Sequence, residues 1–229
     1  MFILFLLSIV NAEFLRECIY SDDSCKKIIG CEYSKLDACL VKSEGKPKDG
    51  YVIYNSYKAT VKDGRVTYTT FSESNKCQCD EDDIVVDSSN LFIDKCVPIR
   101  DGAMYKISTV VESITGDEMK PIAYFVNSTY GFTNKPKCDQ PTKLEALFNN
   151  CAQFPNGQSA LYRIYNDHVI CDLFHDDQCL KFQRRLFEHK CNTCISEKVD
   201  KGLFEYRAIM CGDDFLLPKK DIENKEKEL

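Results

Sequence analysis

The sequence has no tryptophan and only three histidines. Without tryptophan it lacks the commonest side chain for stacking on sugars, although 12 tyrosines and 14 phenylalanines leave glycan binding open. Three histidines offer few groups for acid–base chemistry. A nucleophile elbow, an H-E-x-x-H motif, a phosphate-binding loop and the cysteine-protease signatures are all missing. We therefore predict a protein that is not an enzyme and uses no cofactor.

An excess of positive charge is also missing. The formal net charge is −6 and the isoelectric point is about 5.2. A general nucleic-acid binder carries a basic patch or stripe, and so does a protein that binds anionic membranes. The composition therefore argues against a nucleic-acid partner.

Long apolar runs are absent too. The longest, residues 2–10, is far shorter than the roughly 20 residues of a membrane-spanning helix, so we expect no transmembrane segment. Its length is that of a signal-peptide core, and Val10, Asn11 and Ala12 form a cleavage site with small residues where the peptidase reads them. We predict a signal peptide over residues 1–12. A buried first strand is the alternative, because no Lys or Arg precedes the run.

Cysteine, in contrast, is abundant, with 14 residues. An even set of this size is typical of disulfides in an oxidising compartment, so secretion is the predicted fate. The sequon Asn127, Ser128 and Thr129 then predicts glycosylation of Asn127. All cysteines are disulfide candidates: Cys18, Cys25, Cys31, Cys39, Cys77, Cys79, Cys96, Cys138, Cys151, Cys171, Cys179, Cys191, Cys194 and Cys211.

A degenerate internal repeat is indicated by two matching peptides, residues 50–55 and 161–166, which both contain Ile-Tyr-Asn. Cysteines before the two peptides keep nearly the same offset. We predict two cysteine-rich β modules, residues 13–117 and 118–216, followed by a disordered charged tail over 217–229. Each module holds seven cysteines, so full oxidation requires at least one disulfide between modules; otherwise each module keeps a free thiol.

Within the modules, Cys25 with Cys39 and Cys138 with Cys151 are the local disulfides that the repeat favours. Strand-like residue types dominate both modules. Asp63 and Gly64 predict a tight turn between strands 51–61 and 65–71. A second hairpin is expected from 103–111 and 121–126. Further strands are predicted over 161–174, 180–187 and 203–210.

Helical patterns are scarce. Thr142 and Glu145 have the spacing of a capping box, which predicts a short helix over 142–150. Residues 34–38 are its counterpart in the first module. The predicted fold class is therefore mainly β with short helices, disulfide-rich, and built from two degenerate repeated β modules.

Cys191 and Cys194 form a C-x-x-C, the spacing of thiol-disulfide oxidoreductases. Their surroundings lack the βαβ context of such enzymes, so two structural half-cystines are the favoured interpretation. The three histidines and nearby cysteines match no zinc spacing that we recognise, and no metal site is predicted.

The leading functional hypothesis is a secreted, non-enzymatic interaction or structural protein whose partner is an extracellular protein or a glycan. The alternative is a lumenal oxidoreductase that uses Cys191 and Cys194. The last four residues resemble a lumenal retention signal only in the final Glu228 and Leu229. The endoplasmic reticulum lumen therefore remains the alternative location.

Overall fold

The computed structural model describes residues 13–48, 51–72, 74, 77, 84–87, 91–99, 103–112, 120–131, 138, 141–200 and 203–211. Within them the secondary structure is almost entirely β, and no helix is present that is long and apolar enough to cross a membrane. The strands are β1 (Phe14–Tyr20), β2 (Ile28–Lys35), β3 (Leu40–Lys48), β4 (Tyr51–Lys62), β5 (Arg65–Phe71), β6 (Ile84–Asp87), β7 (Val97–Ile99), β8 (Met104–Val111), β9 (Ala123–Gly131), β10 (Lys143–Leu147), β11 (Cys151–Gln153), β12 (Ser159–Tyr165), β13 (His168–Phe174), β14 (Phe182–Lys190), β15 (Thr193–Asp200) and β16 (Leu203–Cys211).

The strands form three antiparallel sheets. Sheet I has eight strands in the order β15-β16-β9-β10-β2-β1-β8-β7. Sheet II has the order β3-β4-β5-β6, and sheet III has the order β11-β12-β13-β14. The prediction of a mainly β, disulfide-rich protein is therefore confirmed.

The first eight strands and the last eight, called here the first and second halves, have the same pairing order. The first half contributes β7-β8-β1-β2 to sheet I and forms sheet II, whereas the second contributes β15-β16-β9-β10 and forms sheet III. Adding eight to each strand number converts one order into the other. The halves meet where β2 pairs with β10, which places Glu32 directly opposite Glu145.

One face of sheet I carries the largest core. Its buried members include Tyr33, Val126, Leu144 and Tyr206, each fully inaccessible to solvent. Alternate residues of a strand point to opposite faces, so Phe14, Cys18 and Tyr20 of β1 face this core. The cluster contains no residue of sheets II and III among the described residues.

Sheets II and III both pack on the opposite face of sheet I. Leu15 of β1 packs with Ala59 and Val66 of sheet II. In the second half, Ile209 packs with Val169 of sheet III. Each half is therefore a sandwich of one four-stranded sheet on its own part of sheet I.

The predicted hairpin around Asp63 and Gly64 is confirmed. Both residues have positive φ, 52° and 72°, which suits the tight turn that links β4 to β5. The turn between β12 and β13 has the same form, with φ of 47° at Asn166 and 58° at Asp167. Both hairpins run for seven paired residues on each side, from Ser56 opposite Phe71 and, in sheet III, from Ser159 opposite Phe174.

Four disulfides follow one rule. Each links a cysteine near the start of the first strand of a four-stranded unit, in pairing order, to a cysteine between the third and fourth strands. In this order the pairs are Cys96–Cys25, Cys39–Cys77, Cys194–Cys138 and Cys151–Cys179. The other two are Cys18–Cys31, across β1 and β2, and Cys191–Cys211.

These pairings correct two expectations. The local bridges between Cys25 and Cys39 and between Cys138 and Cys151 do not form, because each of these cysteines bonds across its own unit instead. The six disulfides of the described residues also lie within one half each, so none of them is the expected bridge between modules. Cys171 is free and buried, and Cys79 lies outside the described residues.

The predicted short helices are wrong. Residues 143–147 form β10, and residues 34–38 cover the end of β2 and a turn. The capping-box spacing was misleading because Leu144 and Ala146 alternate with Lys143 and Glu145, and this period-2 pattern buries the first two in the large core. Pairing with β2 on one side and β9 on the other overrides the local helical preference.

Two further expectations fail in part. Strands appear within both 103–111 and 121–126, but they do not form a hairpin, since β8 pairs with β1 and β7 whereas β9 pairs with β10 and β16. The matched Ile-Tyr-Asn peptides are not equivalent in position, because Asn55 lies within β4 and Asn166 lies in a turn. The repeat is thus not confirmed by its sequence alignment. Residues 1–12 and 217–229 lie outside the described residues.

Candidate functional site

A groove lies on the second half, where sheet III ends and the face of sheet I beneath it becomes accessible. It is lined by Phe125 of β9, His189 of β14, Thr193 and Ile195 of β15, and Arg207, Ala208 and Ile209 of β16. The groove is small: its cavity of about 10 Å³ has room for about one water molecule.

Strand register explains why these side chains meet. Ile209 lies opposite Phe125 on one side and Thr193 on the other, and Arg207 lies opposite Ile195. Directly opposed residues share a face of the sheet, so β9, β16 and β15 form the floor. His189 comes from sheet III and lies in ring contact with Phe125, with 6.3 Å between the ring centroids.

The two aromatic residues that line the groove, Phe125 and His189, pack against further rings behind them. Phe187 stacks near Phe125 at 6.4 Å, contacts His189 at 6.0 Å and reaches Tyr162 at 5.9 Å, all measured between ring centroids. Contacts of this kind hold rings in defined orientations. These contacts therefore hold Phe125 and His189 in place beside the groove.

Arg207 supplies the charge of the groove. Its Nη2 donates to Glu205 Oε2 at 2.9 Å, and its side chain is 41% exposed. Its Nε is buried and has no hydrogen-bond partner among the described residues. A buried donor without a partner is costly, so the guanidinium is incompletely satisfied by its own chain.

The corresponding cation of the first half pairs with a carboxylate of the adjacent strand. Lys106 occupies in β8 the position of Arg207 in β16, because Ser108 lies opposite Glu17 in β1 as Ile209 lies opposite Phe125 in β9. Lys106 Nζ donates to Glu17 Oε1 at 3.0 Å, and Ser108 Oγ donates to the same oxygen at 3.2 Å. Phenylalanine in β9 thus replaces the carboxylate that this position has in the first half.

The segments that precede β7 and β15 make corresponding backbone hydrogen bonds, which supports matching Lys106 with Arg207 by position. Ile93 N donates to Gly64 O at 3.0 Å, and Asp94 N donates to Ser108 O at 2.7 Å. In the second half Cys191 N donates to Asp167 O at 2.7 Å, and Asn192 N donates to Ile209 O at 2.7 Å. Asp94 and Asn192 both have positive φ, 58° and 55°.

The polar groups between sheets I and II are connected to one another. Tyr68 bonds to Glu17, and burial, reinforced by the charge of Glu17, raises the pKa of the Tyr68 hydroxyl. Near the junction of the halves, Lys143 Nζ lies 2.9 Å from Glu32 Oε1 and 5.8 Å from the ring centroid of Tyr57.

Glu145 lies beside this network, directly opposite Glu32. Burial, together with the negative charge of Glu32, raises the pKa of its carboxyl, although Lys143 lowers it. The raised pKa of Glu145 therefore lies at the junction where β2 of the first half pairs with β10 of the second.

The buried thiol of Cys171 is not a reactive group. It bonds to Tyr162, and burial raises the pKa of the thiol to about 11. The thiolate is the nucleophilic form of cysteine, so Cys171 is protonated and inert near neutral pH. By strand register, Tyr162 takes the place of Ala59 and Cys171 that of Tyr68, so each hairpin has a tyrosine opposite a small residue, but on opposite strands.

The C-x-x-C cysteines are not paired with each other. Cys191 bonds to Cys211, and Cys194 bonds to Cys138. A dithiol-disulfide centre needs both sulfurs in one exchanging pair, so this arrangement does not support the alternative of an oxidoreductase. Asn127 lies within β9, and its glycosylation stays a prediction.

The outer face of sheet III has an ion cluster around Asp172, which is 1% exposed. Arg163 Nη2 donates to its Oδ2, and Arg185 Nε donates to its Oδ1 at 3.0 Å. Since each carboxylate oxygen has a cationic partner, the cluster is satisfied within the chain. We assign it a structural role.

Exposed apolar side chains are unevenly distributed between the halves. Among the described residues, seven large apolar side chains are exposed, and six of them belong to the second half. These six are on β12, β14 and β15 or just before β14: Ile164, Tyr165, Leu180, Phe182, Leu186 and Ile195. The seventh is Val85 of β6.

No sequence pattern indicated that Phe125, His189 and Arg207 would lie in one groove. A signal was present for Arg207, because the segment containing Tyr206 and Arg207 resembles the one containing Tyr105 and Lys106. The replacement of Glu17 by Phe125 becomes visible only when strand pairing aligns β1 with β9.

The described residues contain no group of three or more His, Cys, Asp or Glu side chains placed to hold a metal ion. In comparisons with known proteins, the chain matches no family model, and neither a curated protein nor a solved structure is similar to it.

Proposed function

We propose that this protein is a secreted, disulfide-stabilised interaction protein that acts by binding rather than by catalysis, and that its second half carries the binding surface. The observation that carries the proposal is the concentration of exposed apolar side chains on the second half. Exposed apolar groups gathered on one region of a folded protein favour contact with a partner. We propose an extracellular protein or a glycan as that partner.

The disulfides support the proposed location. Six disulfides in a chain of this size fit an oxidising extracellular or lumenal environment. We propose cleavage of residues 1–12 and export to the medium. If the protein is exported, removal of the last four residues should not change its amount in the medium. A protein retained in the lumen would appear in the medium only after this truncation.

We further propose that the chain consists of two degenerate copies of one β module, with residues 13–117 and 118–216 as their extents. The equal strand orders, the four disulfides that follow one rule and the matching connections before β7 and β15 support this interpretation. In this proposal the second copy carries the binding surface, and the first copy has a structural role.

The experiment is a capture of extracellular partners on the immobilised mature protein, with two variants. One variant carries Tyr165→Ser, Phe182→Ser and Ile195→Ser, and the matched control carries Val85→Ser in the first half. We expect the control to retain the partners of the wild type and the triple variant to lose them. Equal retention by all three proteins would contradict the proposed surface.

A thiol count of the same preparation tests the absence of redox chemistry. Alkylation of the native protein should leave Cys191, Cys194 and Cys171 unmodified, the first two because they are oxidised and the third because it is buried. After unfolding without reductant, Cys171 should become labelled. A native preparation in which Cys191 and Cys194 exchange readily with a dithiol would favour the oxidoreductase instead.

A further inference from the structure

The edge strands β6 and β14 occupy corresponding places in the two four-stranded sheets. Among the described strands, β6 ends sheet II and pairs only with β5, and β14 ends sheet III and pairs only with β13. Each strand therefore has one side whose backbone N–H and C=O groups are not used by its own sheet. Such an edge is a template on which another strand can add.

The sequences at the two edges have opposite charge. Residues 80–87, which end in β6, contain five acidic residues and no lysine or arginine. Residues 181–190, which end in β14, contain four lysines or arginines and one glutamate. The whole chain is acidic, so the basic edge is a local feature of β14.

Part of the positive charge of β14 is not neutralised by the chain itself. Arg185 is paired with Asp172 and Glu188. In contrast, Arg184 and Lys190 are exposed and make no ion pair within the described residues. These two cations are therefore available to an acidic partner.

Both edges also expose apolar side chains. Val85 of β6 is 58% exposed, and it is the one large apolar side chain of the first half that is exposed among the described residues. Phe182 and Leu186 of β14 are 58% and 46% exposed. Apolar contacts can thus add to backbone hydrogen bonds where these strands meet a partner.

Charge decides which of these edges can pair. Like charges on directly opposed residues destabilise a strand pair, whereas opposite charges stabilise it. Two β14 strands would bring cations together, and two β6 strands would bring carboxylates together. A β6 strand against a β14 strand brings opposite charges together instead.

We propose that copies of this chain associate head to tail, with β6 of one copy adding to the edge of sheet III beside β14 of the next. The contact joins two different surfaces, so a dimer still has one free β6 and one free β14, and association can continue. This inference goes beyond the proposed function, because the partner is a second copy and the first half takes part.

The experiment is sedimentation equilibrium of the intact, disulfide-bonded mature protein in the absence of other partners. Because β6 has four residues, the contact is small and the association weak, so it is followed over concentrations of roughly 5–500 µM. We expect the average mass to rise with concentration. Added salt should reduce the rise, since salt screens contacts between exposed charges.

Two variants test the two edges. Arg184→Glu should weaken association by about tenfold or more, because it places a carboxylate on the edge that meets acidic β6. Its control is Lys62→Glu, the same change at an exposed position of β4, which should leave association unchanged. Val85→Lys places a cation on β6 and should weaken association to a similar extent.

A mixture of Arg184→Glu and Val85→Lys distinguishes head-to-tail pairing from pairing between identical edges. Each variant alone should be largely monomeric. The mixture should associate, because the first variant keeps an intact β6 and the second keeps an intact β14. Restored association also shows that both variants are folded. If one does not fold, the salt dependence of the wild type decides, and association that salt does not weaken contradicts the inference.

The inference is overturned if the wild type stays monomeric, if either edge variant associates as well as the wild type, or if a mixture of the folded variants does not associate. It is also wrong if the chain associates only after residues 212–229 are removed, because that segment would then occupy the edge. These results leave the capture of other partners untouched, since self-association is measured on the purified protein. The two proposals therefore fail separately.

Discussion

The two halves of this protein use the same strand order to enclose different chemistry. Between sheets I and II the first half has a polar seam, in which Glu17 joins Lys106, Ser108 and Tyr68. Between sheets I and III the second half has an aromatic seam built around Phe125 and Phe187. The same strand order therefore accommodates either polar or aromatic side chains between the sheets. Buried polar side chains are stable there when they are hydrogen-bonded.

The second half does not meet this condition completely. Arg207 keeps a cation where the first half has Lys106, but its carboxylate partner is Glu205 of its own strand, and its Nε has no partner among the described residues. The second half thus repeats the cation but has Phe125 at the position of Glu17. That incomplete position is the candidate site, and the following experiments test whether the two halves are equivalent elsewhere.

The largest effect is expected from removal of equivalent disulfides. Replacing both cysteines of Cys39–Cys77, or both of Cys151–Cys179, with alanine should each lower the free energy of unfolding by about 3–4 kcal/mol, because loops of similar length become unconstrained in the unfolded chain. The sequence separations are 38 and 28 residues. Denaturant unfolding should show losses that agree within about 1 kcal/mol, and a much smaller loss for one pair would separate the two halves.

A smaller effect should distinguish the two seams. Tyr68→Phe removes a hydroxyl that bonds to the carboxylate of Glu17, and we expect a loss of about 1.5 kcal/mol. Tyr162→Phe removes a hydroxyl that bonds, among the described residues, to the Cys171 thiol, a weak partner, and the loss should stay below about 0.5 kcal/mol. Urea unfolding of both variants measures the difference. Equal losses would mean that the polar seam gains nothing from this bond.

The two hairpin turns allow a reciprocal exchange. Gly64 has φ of 72° with open space around its Cα, and Asp167 has φ of 58° at the same place in the second hairpin. Gly64→Asp should destabilise the protein by about 0.5–1 kcal/mol because of left-handed strain, and Asp167→Gly should stabilise it by a similar or smaller amount. Thermal unfolding would reveal the opposite signs, and shifts in the same direction would show that backbone strain does not control these turns.

The smallest expected effect concerns pH at the junction of the halves. The pKa of Glu145 is raised in the folded protein, so the folded state holds this proton more tightly than the unfolded state. Its contribution is therefore favourable at low pH and is lost as pH rises above the ordinary carboxyl pKa. Glu145→Gln should gain stability relative to wild type between pH 4 and pH 7, as measured by urea unfolding. Parallel pH profiles for the two proteins would exclude this role.

Part of the fold could be predicted because the signals are local. Asp63 and Gly64 mark their turn through conformational preference, and β-branched and aromatic residues mark β4 and β5 on either side. The helix predicted over 142–150 failed because a capping-box spacing says nothing about neighbouring strands. Pairing with β2 and β9 decided that segment.

The candidate site was harder to predict than the strands. Arg207 is one of many charged residues in the sequence, and Phe125, which lines the same groove, lies 82 positions earlier in the chain. Only the antiparallel pairing of β16 with β9 brings them together. Only comparison with the first half shows that Phe125 stands where Glu17 stands in β1.

The sequence by itself determined the β character and the dependence on disulfides, because residue preferences and cysteine number do not depend on how distant segments meet. Tertiary structure alone decided which cysteines pair, since bonding requires two cysteines to lie within about 7 Å between Cα atoms. It also decided that Cys171 stays a buried thiol opposite Tyr162. Lys106 pairs with Glu17 of the adjacent strand, whereas Arg207 pairs with Glu205 of its own strand. Contacts between distant strands create these properties, and a local pattern does not encode them.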